Sequence, residues 1–132
     1  MKANNRESHE RVPGCIPGGT PDMACTLERR FFYHVLSGRK NVEGRLWRGK
    51  WAAVDVGMVL EMVCGPMRLA VVVTGVRRYV SFVEYLEREG LDRTLPGTAT
   101  VDLGVDTYRS LYSRDDEVAH GVVAVEFQCL VR

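Results

Sequence analysis

Apolar positions along the chain fall into two kinds of run, one spaced by three and four residues and one spaced by two. Leu27, Phe31, Phe32, Val35 and Leu36 share a stripe at helical spacing, which predicts a helix from Thr26 to Ser37. Thr26 is the expected cap, Glu28 stands in the first turn, and Gly38 ends the helix. The next stretch, Asn41 to Trp47, alternates: Asn41, Glu43 and Arg45 fall on one face, Val42, Gly44 and Leu46 on the other, which is the period of a strand. Met58 to Val63 and Arg68 to Arg78 read as two further strands around the turn pair Gly65-Pro66. Ser81 to Glu89 has the signature of a capped helix, with Ser81 as cap, Glu84 three residues on and Gly90 as terminator. Phe82, Tyr85 and Leu86 are its expected buried stripe. A third helix is predicted over residues 102–112, and a last strand from Gly121 to Val131, with Val123, Val125, Phe127 and Cys129 two apart.

Short strands interrupted by helices, without β-α-β regularity, argue for an α+β fold with a curled antiparallel or mixed sheet. A small pseudo-barrel is the expected arrangement. Residues 1–26 differ in kind, holding Pro13, Pro17, Pro21, Gly14, Gly18 and Gly19 and little apolar period. They read as a flexible or loosely docked extension, so the domain is expected over residues 27–132. A chain of 132 residues suits a single domain. No apolar run approaches the ~18 residues of a membrane span, and the N-terminus lacks the apolar core of a secretory signal. The expectation is an intracellular protein, of cytoplasm or nucleus, without a membrane partner.

The formal net charge of +1 conceals an asymmetry. Residues 27–93 carry twelve Lys/Arg against eight Asp/Glu, net +4, while residues 94–132 carry three against six, net −3. The basic excess comes as close pairs: Arg29/Arg30, Arg39/Lys40, Arg48/Lys50 and Arg77/Arg78. Such a patch suits contact with a few phosphates rather than a long electrostatic grip. Cys15, Cys25, Cys64 and Cys129 are widely spaced, and His9, His34 and His120 do not stand near them at ligand spacing. Free, mostly buried thiols are therefore expected, with no metal and no cofactor.

The densest polar cluster is Ser37-Gly38-Arg39-Lys40-Asn41-Val42-Glu43-Gly44-Arg45, where a helix end, a glycine turn and a strand meet. Lys40 is a compact cation on a flexible stem, and burial of such a group can make it a usable base or nucleophile. Glu43 can accept from the exocyclic amine of a base or activate a water. Arg45 presents a planar fork for phosphate, carboxylate or carbonyl. The blander alternative is that Glu43 and Arg45, two apart on one strand face, make a structural ion pair.

Gly38 to Leu46 resembles the G-x-K-x-x-E-x-R signature of ASCH domains, a branch of the PUA-like superfamily. Further similarity runs in order through Ser81-Phe82, Glu84, Leu86 to Leu91, Leu95-Pro96-Gly97, Gly104-Val105, Tyr108, Tyr112-Ser113 and His120 to Val125, about 100 residues in all. The resemblance implies a small β-barrel with flanking helices and a cleft beside the signature segment. It also implies recognition of RNA or a modified nucleoside. Some bacterial relatives are amidohydrolases that deacetylate acetylcytidine with a lysine, a threonine and a glutamate. Lys40 matches that lysine and Glu89 that glutamate, but Glu43 stands at the threonine position. Gly57-Met58 also departs from the family's usual Gly-Asp.

Three functions follow as expectations. The first is an RNA or nucleoside binding module in which Arg39, Lys40, Glu43 and Arg45 meet the ligand and Trp47 or Tyr79 stacks on a base. The second is a hydrolase acting on RNA or an acylated nucleoside, with Lys40, Glu43 and Glu89 as catalytic groups. The third is a protein-interaction module.

Overall fold

The computed structural model describes residues 19–130. Five strands form one mixed sheet: β1 (Met23–Thr26), β2 (Val42–Leu46), β3 (Val59–Cys64), β4 (Met67–Tyr79) and β5 (Val122–Cys129). Their order is β1-β3-β4-β5-β2, with β1 parallel to β3 and every other pairing antiparallel. Helices α1 (Arg29–Leu36), α2 (Phe82–Glu89), α3 (Leu91–Thr94), α4 (Val101–Arg109) and α5 (Arg114–His120) surround it, with a 3₁₀ turn at Gly49–Ala53. The sheet curls into a half-barrel, the α+β PUA-like arrangement expected from the sequence.

The long strand β4 forms the spine. Its early residues pair with β3 and its later ones with β5, and a register shift between Val73 and Gly75 bends it. Such bulges increase local twist and so help a sheet to curl. Beside it, β5 is covered on both faces: Val122, Val123, Ala124 and Val125 have no exposed surface. That explains a run of apolar residues where a half-exposed strand would alternate.

The cap predicted for α2 is present: the Ser81 hydroxyl accepts from the Glu84 amide at 3.1 Å. The Glu84 carboxylate reaches back one residue further than the usual box and accepts from the Val80 amide at 2.9 Å. At the start of this helix the buried Glu117 of α5 accepts from the Phe82 amide at 2.8 Å and takes the Arg109 fork at 2.9 and 3.1 Å. One carboxylate thereby ties α2, α4 and α5 together.

The first boundary needs correction. Met23–Thr26, assigned above to the extension, form the edge strand β1, and the Leu27 amide continues its ladder to the Val63 carbonyl at 2.9 Å. Thr26 is therefore strand rather than helix cap; α1 begins at Arg29 after an extended Glu28 that makes no side-chain cap. The remainder of the proposed extension, residues 1–18, lies outside the described residues, as do 131–132. Among the described cysteines, Cys25 is buried, whereas Cys64 and Cys129 are half-buried rather than enclosed. No helix among the described residues is long and apolar enough to cross a membrane.

Candidate functional site

After α1 the chain turns at Gly38, whose φ of +83° suits glycine, and the Arg39 and Lys40 amides both donate to the His34 carbonyl. This turn sends the Lys40 side chain inward, where only 1% of the residue's surface stays exposed. Its ammonium donates to the Glu43 carboxylate at 2.9 Å, the Val42 carbonyl at 2.9 Å and the Thr94 carbonyl at 2.5 Å. An ammonium has three protons, and all three are committed. Arg45 takes the other Glu43 oxygen through Nε at 2.7 Å, then reaches across to β1, where Nη2 donates to the Thr26 carbonyl at 2.9 Å and contacts Cys25 Sγ at 3.3 Å. Among the described residues Arg45 Nη1 has no hydrogen-bond partner.

Burial raises the Glu43 carboxyl, but Lys40 and Arg45 more than offset this and hold it below its ordinary value. The triad carries one net positive charge. Burial pushes the hydroxyls of Tyr85, Tyr108 and Tyr112 upward, so they remain neutral. The Cys25 thiol is pushed up to about 12, first by burial and then by the Glu43 charge.

Lys40, Glu43 and Arg45 share one cleft of about 510 Å³. Its remaining walls include Thr26, Leu27, Glu28, Phe31, Leu95, Thr107, Tyr108, Leu111 and Tyr112. That volume lies within the range of small-molecule sites, and its mix of apolar walls with a few fixed polar groups is typical of them. Gly44 also lines the cleft, and a Cβ there would collide with the buried Tyr85 ring. Phe82 stacks on Tyr108 at 4.5 Å and faces Tyr112 at 5.7 Å, so an aromatic layer supports this wall.

The other predicted site residues lie elsewhere. Glu89 is buried in a second ion network: Arg77 donates to both its oxygens at 2.7 and 2.8 Å, Arg93 donates at 2.8 Å and the Tyr79 hydroxyl at 2.5 Å. It does not line the cleft that holds Lys40. Tyr79 is thereby tied to Glu89, Trp47 lies under the Arg78 guanidinium at 3.6 Å, and neither borders the cleft. Arg39 is exposed and also outside it. The aromatic side chains at the cleft are Phe31, Tyr108 and Tyr112. The sequence placed Tyr112 on the third predicted helix and in the matched Tyr112-Ser113 pair, with no ligand role. No group of three or more His, Cys, Asp or Glu among the described residues is placed to hold a metal ion.

The half-barrel and its flanking helices define a PUA-like domain. The ASCH domain pattern matches residues 26–130, and the chain belongs to the ASCH family. Two solved structures share its fold and a third of its sequence. A hypothetical protein, PH0355, known from a crystal structure, has a TM-score of 0.75 at 33% identity, covering 82% of this chain and 98% of that one. Protein PF0455 from Pyrococcus furiosus, solved by solution NMR, has a TM-score of 0.69 at 33% identity, covering 83% of this chain and 97% of its own. Curated proteins offer no match.

Proposed function

We propose that this domain binds RNA or a modified nucleoside by taking one base into the cleft beside Lys40, Glu43 and Arg45. The family supports the general class, since ASCH domains are commonly RNA-binding. The observation that carries the specific reading is the commitment of every Lys40 proton to Glu43, Val42 and Thr94. A lysine acting as base or nucleophile must turn its nitrogen toward the substrate, and here its three donor directions all end on protein acceptors. Lys40 therefore serves to position Glu43, and the groups left to meet a ligand are the second lone pairs of Glu43 and the Nη1 of Arg45. Together they offer acceptor and donor side by side, the combination that reads the edge of a base. Tyr112, half-buried at the cleft, supplies the aromatic surface for stacking.

Binding fits this arrangement better than hydrolysis. Glu89, which the amidohydrolase resemblance would pair with Lys40, is held away from the cleft by Arg77 and Arg93. The test is calorimetric titration of the four ribonucleosides and N4-acetylcytidine into wild type and Tyr112→Ala. Stacking contributes ~1–3 kcal/mol per base on alanine substitution, so Tyr112→Ala is expected to weaken binding about fivefold or more. Trp47→Ala is expected to leave it unchanged. Absence of binding by every nucleoside and by short RNA would reject the reading. Release of cytidine from acetylcytidine, abolished in Lys40→Met, would replace it with the hydrolase.

A further inference from the structure

A second hollow, about 370 Å³, adjoins the first. Leu46, Arg48, Gly49, Lys50, Trp51 and Tyr112 line it, so Tyr112 is a wall of both. Cations and aromatic rings interleave along the pair. The Arg45 guanidinium lies 5.0 Å from the Trp51 ring centroid, the Lys50 ammonium 5.6 Å from the same ring, and the Arg48 guanidinium 5.9 Å from the Tyr112 ring. Lys50 donates one proton to the Ala24 carbonyl at 2.6 Å, which leaves two for a ligand. Arg48 pairs with Asp116 at 3.2 Å, but both side chains are close to half exposed, 44% and 46%. Such exposed pairs are weak, and a phosphate can displace the carboxylate.

A free nucleoside would leave these cations unused, because it carries no anionic group. We propose that the ligand is a single-stranded RNA segment: one base enters the first cleft, and the phosphate of the adjoining nucleotide lies on Arg48 and Lys50 in the second hollow. Tyr112 stands between the two subsites. This rests on the reading that the first cleft takes a base. A single strand is required because a base stacked inside a duplex cannot turn into a walled cleft without first being unpaired.

The experiment compares each ribonucleoside with the trinucleotide of the same base, on wild type, Arg48→Ala, Lys50→Ala and Asp116→Asn. The trinucleotide is expected to bind wild type more tightly than the nucleoside. One neutralised phosphate at a slope of about −0.7 would shrink that advantage about two- to threefold between about 50 and about 200 mM salt. Arg48→Ala and Lys50→Ala should each lose much of the advantage while leaving nucleoside affinity unchanged. Asp116→Asn should increase it by releasing Arg48. Lys50 also caps a strand carbonyl, so if Lys50→Ala fails to fold, the exposed Arg48→Ala decides. Nucleosides that bind while trinucleotides gain nothing, or an advantage that survives Arg48→Ala, overturn this inference alone. No nucleoside binding at all overturns the reading of the first cleft, and this inference with it. Displacement of the RNA by an acidic peptide at equal concentration would assign the second hollow to protein and overturn it too.

Discussion

Arg45 of β2 donates through Nη2 to the Thr26 carbonyl of β1 at 2.9 Å, joining the two strands that lie at opposite edges of the sheet. Lys50, in the 3₁₀ turn that follows β2, donates to the Ala24 carbonyl of the same edge strand β1. The half-barrel is thus closed by cationic side chains where a full barrel would use a strand ladder. An open strand edge is a template for unwanted pairing, and capping its carbonyls with charge blunts it. Because the same Arg45 also binds Glu43, closure of the fold and charge balance in the cleft depend on one guanidinium.

Arg45→Lys tests this coupling. A lysine is a point donor without the fork, so it cannot hold Glu43 and Thr26 with the same geometry. Losing one hydrogen bond to a charged group costs about 1.5–3 kcal/mol. The urea midpoint is expected to fall accordingly, and Ala24 to Thr26 amides to exchange faster with deuterium. Unchanged exchange at β1 would show that the strand does not need the bridge.

Glu43→Ala should be harsher. Among the described residues it removes the one anionic partner of the buried Lys40, and breaking a buried pair from one side costs about 3–5 kcal/mol. Adding Lys40→Met removes the orphaned charge, so the double variant is expected to unfold at higher urea than Glu43→Ala alone. Such non-additivity is the signature of two groups in one network. Additive losses would mean that Lys40 is stabilised chiefly by the Val42 and Thr94 carbonyls.

Acid should weaken the fold through the same carboxyls. Burial raises Glu43 and Glu89, but the neighbouring cations, Lys40 and Arg45 for one and Arg77 and Arg93 for the other, bring both below the ordinary 4.5. A depressed carboxyl binds fewer protons folded than unfolded, so its stabilisation is complete above about pH 4.5 and declines as pH falls through the folded value. Unfolding free energy measured from pH 7 to pH 3 is expected to be flat and then to drop. In Glu89→Gln the drop should be shallower. A wild type equally stable at pH 3 and pH 7 would contradict both assignments.

The parts of this architecture that the sequence reveals are those with a period. Val42 and Leu46 alternate with Glu43 and Arg45 on β2, and Ser81 with Glu84 announces α2, so both elements and the charged triad can be read directly. The elements that escape lack an apolar stripe. In α5 the single buried side chain is Glu117, whose burial is balanced by Arg109 and the Phe82 amide rather than by hydrophobic contact. In β1 only four residues are extended, immediately after Pro21 and Asp22, too few to show alternation. The surroundings of single rings escape for a related reason: Trp47 and Tyr79 look available on their strands, but which neighbour covers a ring depends on cross-sheet packing. Arg78 covers one and Glu89 binds the other.

Two glycines that look alike in sequence should respond differently to alanine. At Gly44 a Cβ would meet Tyr85 Cζ at 2.4 Å, part of a rigid ring that is fully buried. At Gly104 the nearest atom, at 2.8 Å, is the Cδ1 tip of Leu86, a flexible side chain, and the site is helical. Overpacking a tight core costs about 1–3 kcal/mol, so Gly44→Ala is expected to lower the thermal midpoint clearly. Gly104→Ala gains up to about 1 kcal/mol of helix propensity against a smaller clash and should come out near neutral. Equal losses at both sites would show that the Leu86 tip has no room to turn.

Cys25 offers a probe of whether the Arg45 bridge opens in solution. Its thiol is buried with its pKa pushed up to about 12, so at pH 8 the reactive thiolate is almost absent. Iodoacetamide is expected to leave Cys25 unmodified in the native protein and to label it fully after denaturation, as read by mass spectrometry of the peptide. The half-buried Cys64 supplies an internal comparison. In Arg45→Lys, labelling of Cys25 should accelerate well beyond any change at Cys64, because the guanidinium that lies 3.3 Å from its sulfur also holds β1 in place. Equal acceleration at both cysteines would instead indicate global unfolding, and the local bridge would then carry no separate opening step.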